Sequence, residues 1–204
     1  MLGQRKESLF VAVKSFGGMG DKMKILGFAG SLRKGSYNKM ALNAAVKLAP
    51  DDVKIEVFDL KDIPPFNQDL EQDPPERVRE FKKRIREADA ILIATPEYNY
   101  SIPGVLKNAI DWASRPYGDN VFEGKPVAIM GASIGNIGTA RAQYHLRQCF
   151  VFLDMYPINQ PEVMIGFAQE KFDKNGNLTD EHAKDRIKEL LQELVQWTKT
   201  LKGK

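Results

Sequence analysis

Glu97, Tyr98, Asn99, Tyr100 and Ser101 stand together between two prolines, Pro96 and Pro103, directly after the apolar run AILIA at 90–94. Two near-adjacent tyrosines offer flat faces to a planar ring, and Glu97 and Asn99 offer hydrogen bonds. The same stretch also reads as a Pro-bounded turn with surface tyrosines and no ligand. A second group, GSLRKGSYN at 30–38, combines glycines, the hydroxyls of Ser31 and Ser36, the amide of Asn38 and the cations Arg33 and Lys34. Glycine lets backbone N–H groups turn toward a ligand, and the helix start that follows adds its dipole, so this loop suits a phosphate. Its alternative is a solvated turn with a helix cap. A third loop, GASIGNIG at 131–138, contributes Ser133 and Gly135.

Other phosphate chemistries fail on spacing. A Walker loop needs Gly-Lys-Ser/Thr, but Gly35 is followed by Ser36, and no Gly-x-Gly-x-x-Gly is present here. A phosphatase loop needs Cys with Arg six places on, and the single cysteine, Cys149, has Met155 there. Asp173 to Asn177 hints at a calcium loop, but Gly176 falls at the fourth place and Lys184 at the position of the bidentate Glu, so a hairpin-like turn is expected and no metal site.

The elements that carry these loops follow from periodicity. Strands are expected at 24–29, 53–58, 90–94 and 126–130, with the last near 151–155 or 162–165. Helices are expected from Tyr37 to about Ala49, at 76–88, from Pro103–Gly104 onward, at 139–150 and at 179–201. Strand and helix alternate about five times, the signature of a doubly wound parallel sheet with helices on both faces. In such a sheet the loops that leave the strands gather at one edge, so 30–38, 95–104 and 131–139 can form one site.

The bulk properties narrow the functions. At 204 residues the chain suits one well-buried domain. Thirty basic against 27 acidic residues give +3, too balanced to imply nucleic acid. One cysteine excludes an internal disulfide and fits a reducing, cytoplasmic setting. No apolar run nears the roughly 20 residues of a membrane span. Residues 1–22 read as a poorly ordered N-terminal extension: the apolar core LFVAV is too short for a signal peptide, and Gly17 to Gly20 reads as linker. The domain is expected over 23–204.

GSLRKGSYN and PEYNYSIPG (96–104), with the third glycine-rich loop, resemble the NADPH-dependent FMN reductase family, in particular its bacterial chromate and quinone reductases. The likeness runs from about Lys24 to the C-terminus. It implies a flavodoxin-like fold: a five-stranded parallel sheet in three α/β/α layers. It further implies that Ser31, Arg33, Ser36, Tyr37 and Asn38 cradle the FMN phosphate. Pro96, Glu97, Tyr98, Asn99 and Tyr100 line the isoalloxazine, and Ser133 and Gly135 approach its pyrimidine edge. Asn136 and Ile137 depart from the family pattern and leave the shape of the substrate pocket open.

By this resemblance the protein is an enzyme in which NADPH, or NADH, delivers hydride through flavin N5 to quinones in a ping-pong scheme. Chromate, azo and nitro compounds are side substrates, the assembly is a homodimer or homotetramer, and no strict catalytic residue is needed. Alternatives are a flavin reductase serving a partner monooxygenase, a flavodoxin-type electron carrier, which the +3 charge disfavours, and a flavin-binding regulatory module. Arg115 and Arg141 are candidates for attracting anions, or equally for ion pairs at a subunit interface. Glu97 is expected to fix its loop rather than act as a base, and Cys149 to be an inert buried thiol.

Overall fold

The computed structural model describes residues 22–203. The extension expected over 1–22 therefore lies, but for Lys22, outside the described residues. The first strand, β1 (Met23–Ala29), is followed by helix α1 (Tyr37–Leu48) and strand β2 (Val53–Phe58). A long loop with one 3-10 turn leads to α2 (Glu76–Glu87), β3 (Ala90–Ala94), α3 (Gly104–Ala113) and β4 (Pro126–Ala132). The chain then forms α4 (Ala140–Leu153), β5 (Tyr156–Pro157), β6 (Val163–Ile165), the short α5 (Ala168–Lys171) and α6 (Glu181–Lys202).

Every strand pairing is parallel, in the order β2-β1-β3-β4, with β5 and β6 both on the outer side of β4. All five residues of β3 are buried because helices cover the sheet on both faces; an all-apolar strand is what that position demands. On one face α1 and α6 pack Ala41, Leu42, Ala45, Ile187, Leu190, Leu191 and Leu194 onto the sheet. On the other, α2, α3 and α4 bring Phe81, Ile85, Leu106, Ala109, Ile110, Leu146 and Phe150. The doubly wound flavodoxin-like sheet in three layers is thus the observed fold.

The fifth strand position departs from expectation. Tyr156 and Pro157 pair with Pro126 and Val127, whereas Val163, Met164 and Ile165 pair with Met130, Gly131 and Ala132. Two short strands share the edge, because Pro157 and Pro161 have no N–H with which to continue a ladder. Of the two expected locations, 162–165 contains a strand and 151–155 does not. Helix α4 runs on to Leu153 because Leu146, Phe150 and Leu153 keep its buried stripe. Asp154, with φ 51°, ends it by donating its N–H to Phe150. Asp180 caps α6: its carboxylate accepts from the N–H of Ala183. Residues 173–177 form the expected turn, bracketed by an antiparallel bridge between Phe172 and Leu178. No helix among the described residues is long and apolar enough to cross a membrane.

Candidate functional site

Strands β1, β3 and β4 are neighbours and point the same way, so the loops that leave them meet at one sheet edge. After β1 the chain winds outward to β2, then returns to β3 on the other side. The crevice between β1 and β3 is therefore the switch point where open α/β sheets hold ligands. A cavity of about 280 Å³ opens there. The first loop and α1 contribute Ser31, Arg33, Ser36, Tyr37 and Asn38; the second contributes Pro96, Glu97 and Tyr98; β4 and the third contribute Ala132, Ser133 and Ile134. Asn99, Tyr100 and Gly135 line an adjoining open hollow of about 600 Å³, which shares Glu97 and Ser133 and also includes Asn136, Ile137 and Arg141. Every expected site residue is thus on one of two connected cavities. Ala132 and Ile134 are additional walls whose side chains carry no chemical signal in the sequence. A further hollow at the opposite edge, lined by Lys24, Glu56, Arg84 and Glu87, faces no strand-leaving loop, and its Arg84 pairs with Glu56 at 3.1 Å.

The first loop is built as an anion cradle. Ser36 is the N-cap of α1, its Oγ accepting from the N–H of Lys39 at 3.4 Å; Ser31 Oγ accepts from the N–H of Arg33 at 3.4 Å. Both serines are buried, and neither hydroxyl donates to a protein acceptor among the described residues, so each has a proton to give. The N–H groups of Tyr37 and Asn38 belong to the first helical turn and have no acceptor within the helix. No acidic residue occupies that turn. Gly30 lets this loop pass the start of α3, since a Cβ there would sit 3.1–3.2 Å from Leu106 and Pro103. Tyr37 stacks at a tilt on Phe172, ring centres 5.6 Å apart.

The second loop is a tight turn. Tyr98 and Ser101 exchange two backbone hydrogen bonds of 3.0 and 2.9 Å, and the central residues Asn99 and Tyr100 have φ of 50° and 64°. Its carboxylate, Glu97, does not face solvent. One oxygen accepts from the N–H groups of Arg141 (3.0 Å) and Ala142 (3.2 Å), and the other from Nε of Arg141 (2.6 Å). Glu97 thus caps α4, whose own N-cap, Thr139, makes no side-chain cap bond. The Arg141 guanidinium lies 3.6 Å from the ring centre of Tyr100. His145 of α4 contacts Ser101 Oγ at 3.1 Å. These bonds support the loop-fixing reading of Glu97.

The third loop is tied to the segment after β6. Ser133 donates its N–H to Ile165 (2.9 Å), and its carbonyl accepts from the N–H of Ala168 (3.0 Å). Phe167 donates to the carbonyl of Gly135, and Ser133 Oγ accepts from the N–H of Gly135 (3.1 Å).

The remaining candidates resolve without a ligand. Arg115 and Arg141 both form ion pairs within the chain: Arg115 Nε meets Glu71 at 2.8 Å, and its guanidinium covers Tyr117 at 3.8 Å. Cys149 packs against the second core, its thiol facing the carbonyl of His145, and burial pushes the thiol up from its ordinary range. Such a thiol is a poor nucleophile. Buried hydroxyls, an exposed arginine and open helix N–H groups at one end of the cavity, with an aromatic turn at the other, match the donors FMN requires.

The family described as NADPH-dependent FMN reductase matches residues 23–170. An NAD(P)H-dependent FMN reductase of Pseudomonas aeruginosa is 55% identical over 186 residues, 91% of this chain and all of that protein. A 2-hydroxy-1,4-benzoquinone reductase of a Burkholderia species is 45% identical over 177 residues, 87% of this chain and 97% of that protein. Among solved structures, the flavoenzyme NAD(P)H:acceptor oxidoreductase of Paracoccus denitrificans superposes with a TM-score of 0.81 at 38% identity, over 87% of this chain and 98% of that one. Loop order, cavity position and sequence agree: the chain belongs to the NADPH-dependent FMN reductase family.

Proposed function

We propose that the protein is a cytoplasmic FMN-dependent NAD(P)H oxidoreductase that delivers electrons to quinones and other small acceptors, chromate, azo and nitro compounds among them, as a homodimer or homotetramer. The observation that carries this reading is the meeting of the anion-suited loop and the aromatic turn in one cavity at the switch point of the sheet. When bound there, FMN supplies the chemistry: it takes a hydride from a nicotinamide and returns two electrons to an acceptor. Ser31, Ser36, Arg33 and the first-turn N–H groups of α1 hold the phosphate. Pro96, Glu97 and Tyr98 pack along the ring, and Ser133 and Gly135 approach its pyrimidine edge. Asn99 and Tyr100 frame the open hollow through which nicotinamide and acceptor reach the ring in turn. Because that hollow selects by shape and stacking, broad acceptor tolerance follows. The relative named for a hydroxylated benzoquinone supports quinones as the main class.

Anaerobic mixing of FMN-loaded protein with NADPH, followed by benzoquinone, tests the proposal through the flavin absorption near ~450 nm. Bleaching by NADPH and recovery with quinone is expected. A bound flavin that NADPH leaves oxidised would contradict it and favour an electron carrier.

A further inference from the structure

Asn38 is chemically equipped to bind a phosphate, yet its side chain is spent elsewhere. Its Nδ2 donates to the carbonyl of Ala132 at 2.9 Å, and its Oδ1 accepts from the N–H of Ala132 at 2.9 Å. Both residues are 3% exposed, and 94 positions separate them. The reason lies in strand lengths. Strand β3 pairs with β4 as far as Ala94 with Met130, and the N–H of Thr95 closes the ladder on the carbonyl of Met130. Beyond that point β4 runs on with β6 alone, Ala132 opposite Ile165. Successive residues of a strand turn their N–H and C=O to alternate sides. Ala132 therefore faces the side from which β3 has departed, and both of its backbone groups would be buried without partners. The amide of Asn38 replaces the missing peptide unit.

We infer that Asn38 is a positioning residue: it clasps the first turn of α1 to the last residue of β4 across the end of β3, and so sets the spacing between the phosphate end and the Ser133 end of the cavity. This inference rests on the FMN reading of that cavity. Ser133 and Ile134 follow the clasped residue directly, and both line the cavity. Ser31, Arg33 and Ser36 remain as the side chains for the phosphate.

Two measurements on Asn38→Leu test this. In flavin-free protein, NMR-detected hydrogen exchange at the Ala132 amide is expected to speed up roughly tenfold or more, the loss of one buried, fully partnered pair, while amides within β4 at Val127–Met130 keep their protection. Titrations followed by flavin fluorescence are expected to show FMN and riboflavin, which lacks the phosphate, weakened by the same factor, again roughly tenfold. Asn38→Asp provides an independent variant. A carboxylate repels the Ala132 carbonyl, whereas the protonated acid presents the same donor and acceptor as the amide. Riboflavin binding to this variant should recover relative to wild type as pH falls, and binding to Asn38→Leu should not. Unchanged exchange at Ala132, or a loss confined to FMN with riboflavin unaffected, overturns the inference and makes Asn38 a phosphate ligand. Wild-type protein that binds neither flavin would refute the functional reading alone, since exchange at Ala132 still judges the clasp.

Discussion

Replacing Glu97 with Ala isolates how the aromatic turn is held to the rest of the site. Its side chain is 7% exposed and serves two backbone N–H groups at the start of α4 together with the Arg141 guanidinium. Loss of an N-cap acceptor costs about 1 kcal/mol. Removing a negative charge from a helix N-terminus costs about 0.5–1 kcal/mol more. The Arg141 partner is 40% exposed, so solvent screens the ion pair to about 1 kcal/mol or less. The sum is about 1.5–3 kcal/mol for Glu97→Ala, a melting shift of roughly 3–12 °C for a chain of this size. Arg141→Ala removes the ion pair and the stack on Tyr100 but leaves both backbone bonds to Glu97, and should cost about 1–1.5 kcal/mol. The double variant should cost less than the two single ones together by about 1 kcal/mol, the coupling of the shared pair. Urea unfolding of the three variants supplies all the numbers. If Arg141→Ala proves as costly as Glu97→Ala, the backbone bonds contribute nothing, and the reading of Glu97 as a remote helix cap is wrong.

Gly131→Ala should destabilise by about 3 kcal/mol, as overpacking does when neighbours cannot retreat. The new Cβ would stand 1.8 Å from Thr139 Oγ1, a fully buried side chain, and 2.5 Å from the backbone oxygen of Thr95; an unchanged thermal midpoint would show that the strand ends are not packed this tightly. Asp119 makes a pH-dependent contribution. Burial raises its carboxyl, but hydrogen bonds from Lys82 (2.7 Å) and Arg86 (2.5 Å) outweigh burial and hold it below 3.8. A depressed carboxyl stabilises the fold above its unfolded value and loses that contribution as pH falls through the folded one. Asp119 is 45% exposed, so solvent screens its pairs and Asp119→Asn should cost about 1 kcal/mol or less at pH 7, with the gap to wild type closing as pH falls below 3.8; denaturant titrations showing a constant gap would refute the assignment.

The layers and the alternation of strand and helix were legible because burial on two faces demands an uninterrupted apolar strand, and the run at 90–94 fits that position. The outer edge was not. Strand β5 is two residues long, too short to display a period of two, and the prolines beside it erase the ladder that would have defined one longer strand. The end of α4 was obscured for a related reason. Val151 and Phe152 are apolar but exposed, so hydrophobicity around 151–155 suggested a strand, whereas Phe150 and Leu153 continue a helical stripe that only the packing distinguishes.

In the site, residue types revealed the loops and not their fastenings. Asn38, Glu97 and Ser133 were all legible as polar groups beside glycines and aromatics, but each reaches a backbone partner: Ala132, the N–H groups of Arg141 and Ala142, and the N–H of Gly135. A backbone group has no residue type, so a bond to it across 94 or 44 positions leaves no pattern in the sequence. The third loop hangs from a strand that outruns its neighbour, since β4 continues to Ala132 after β3 has ended at Ala94, and such a strand end exposes peptide groups that something must satisfy. The early end of β3 beside this cavity is also what leaves Ala132 without a strand partner on that side. Part of the polarity that draws the eye to this edge therefore serves the protein's own backbone, and the rest, chiefly Ser31, Arg33 and Ser36, lines the cavity with groups still open to a partner.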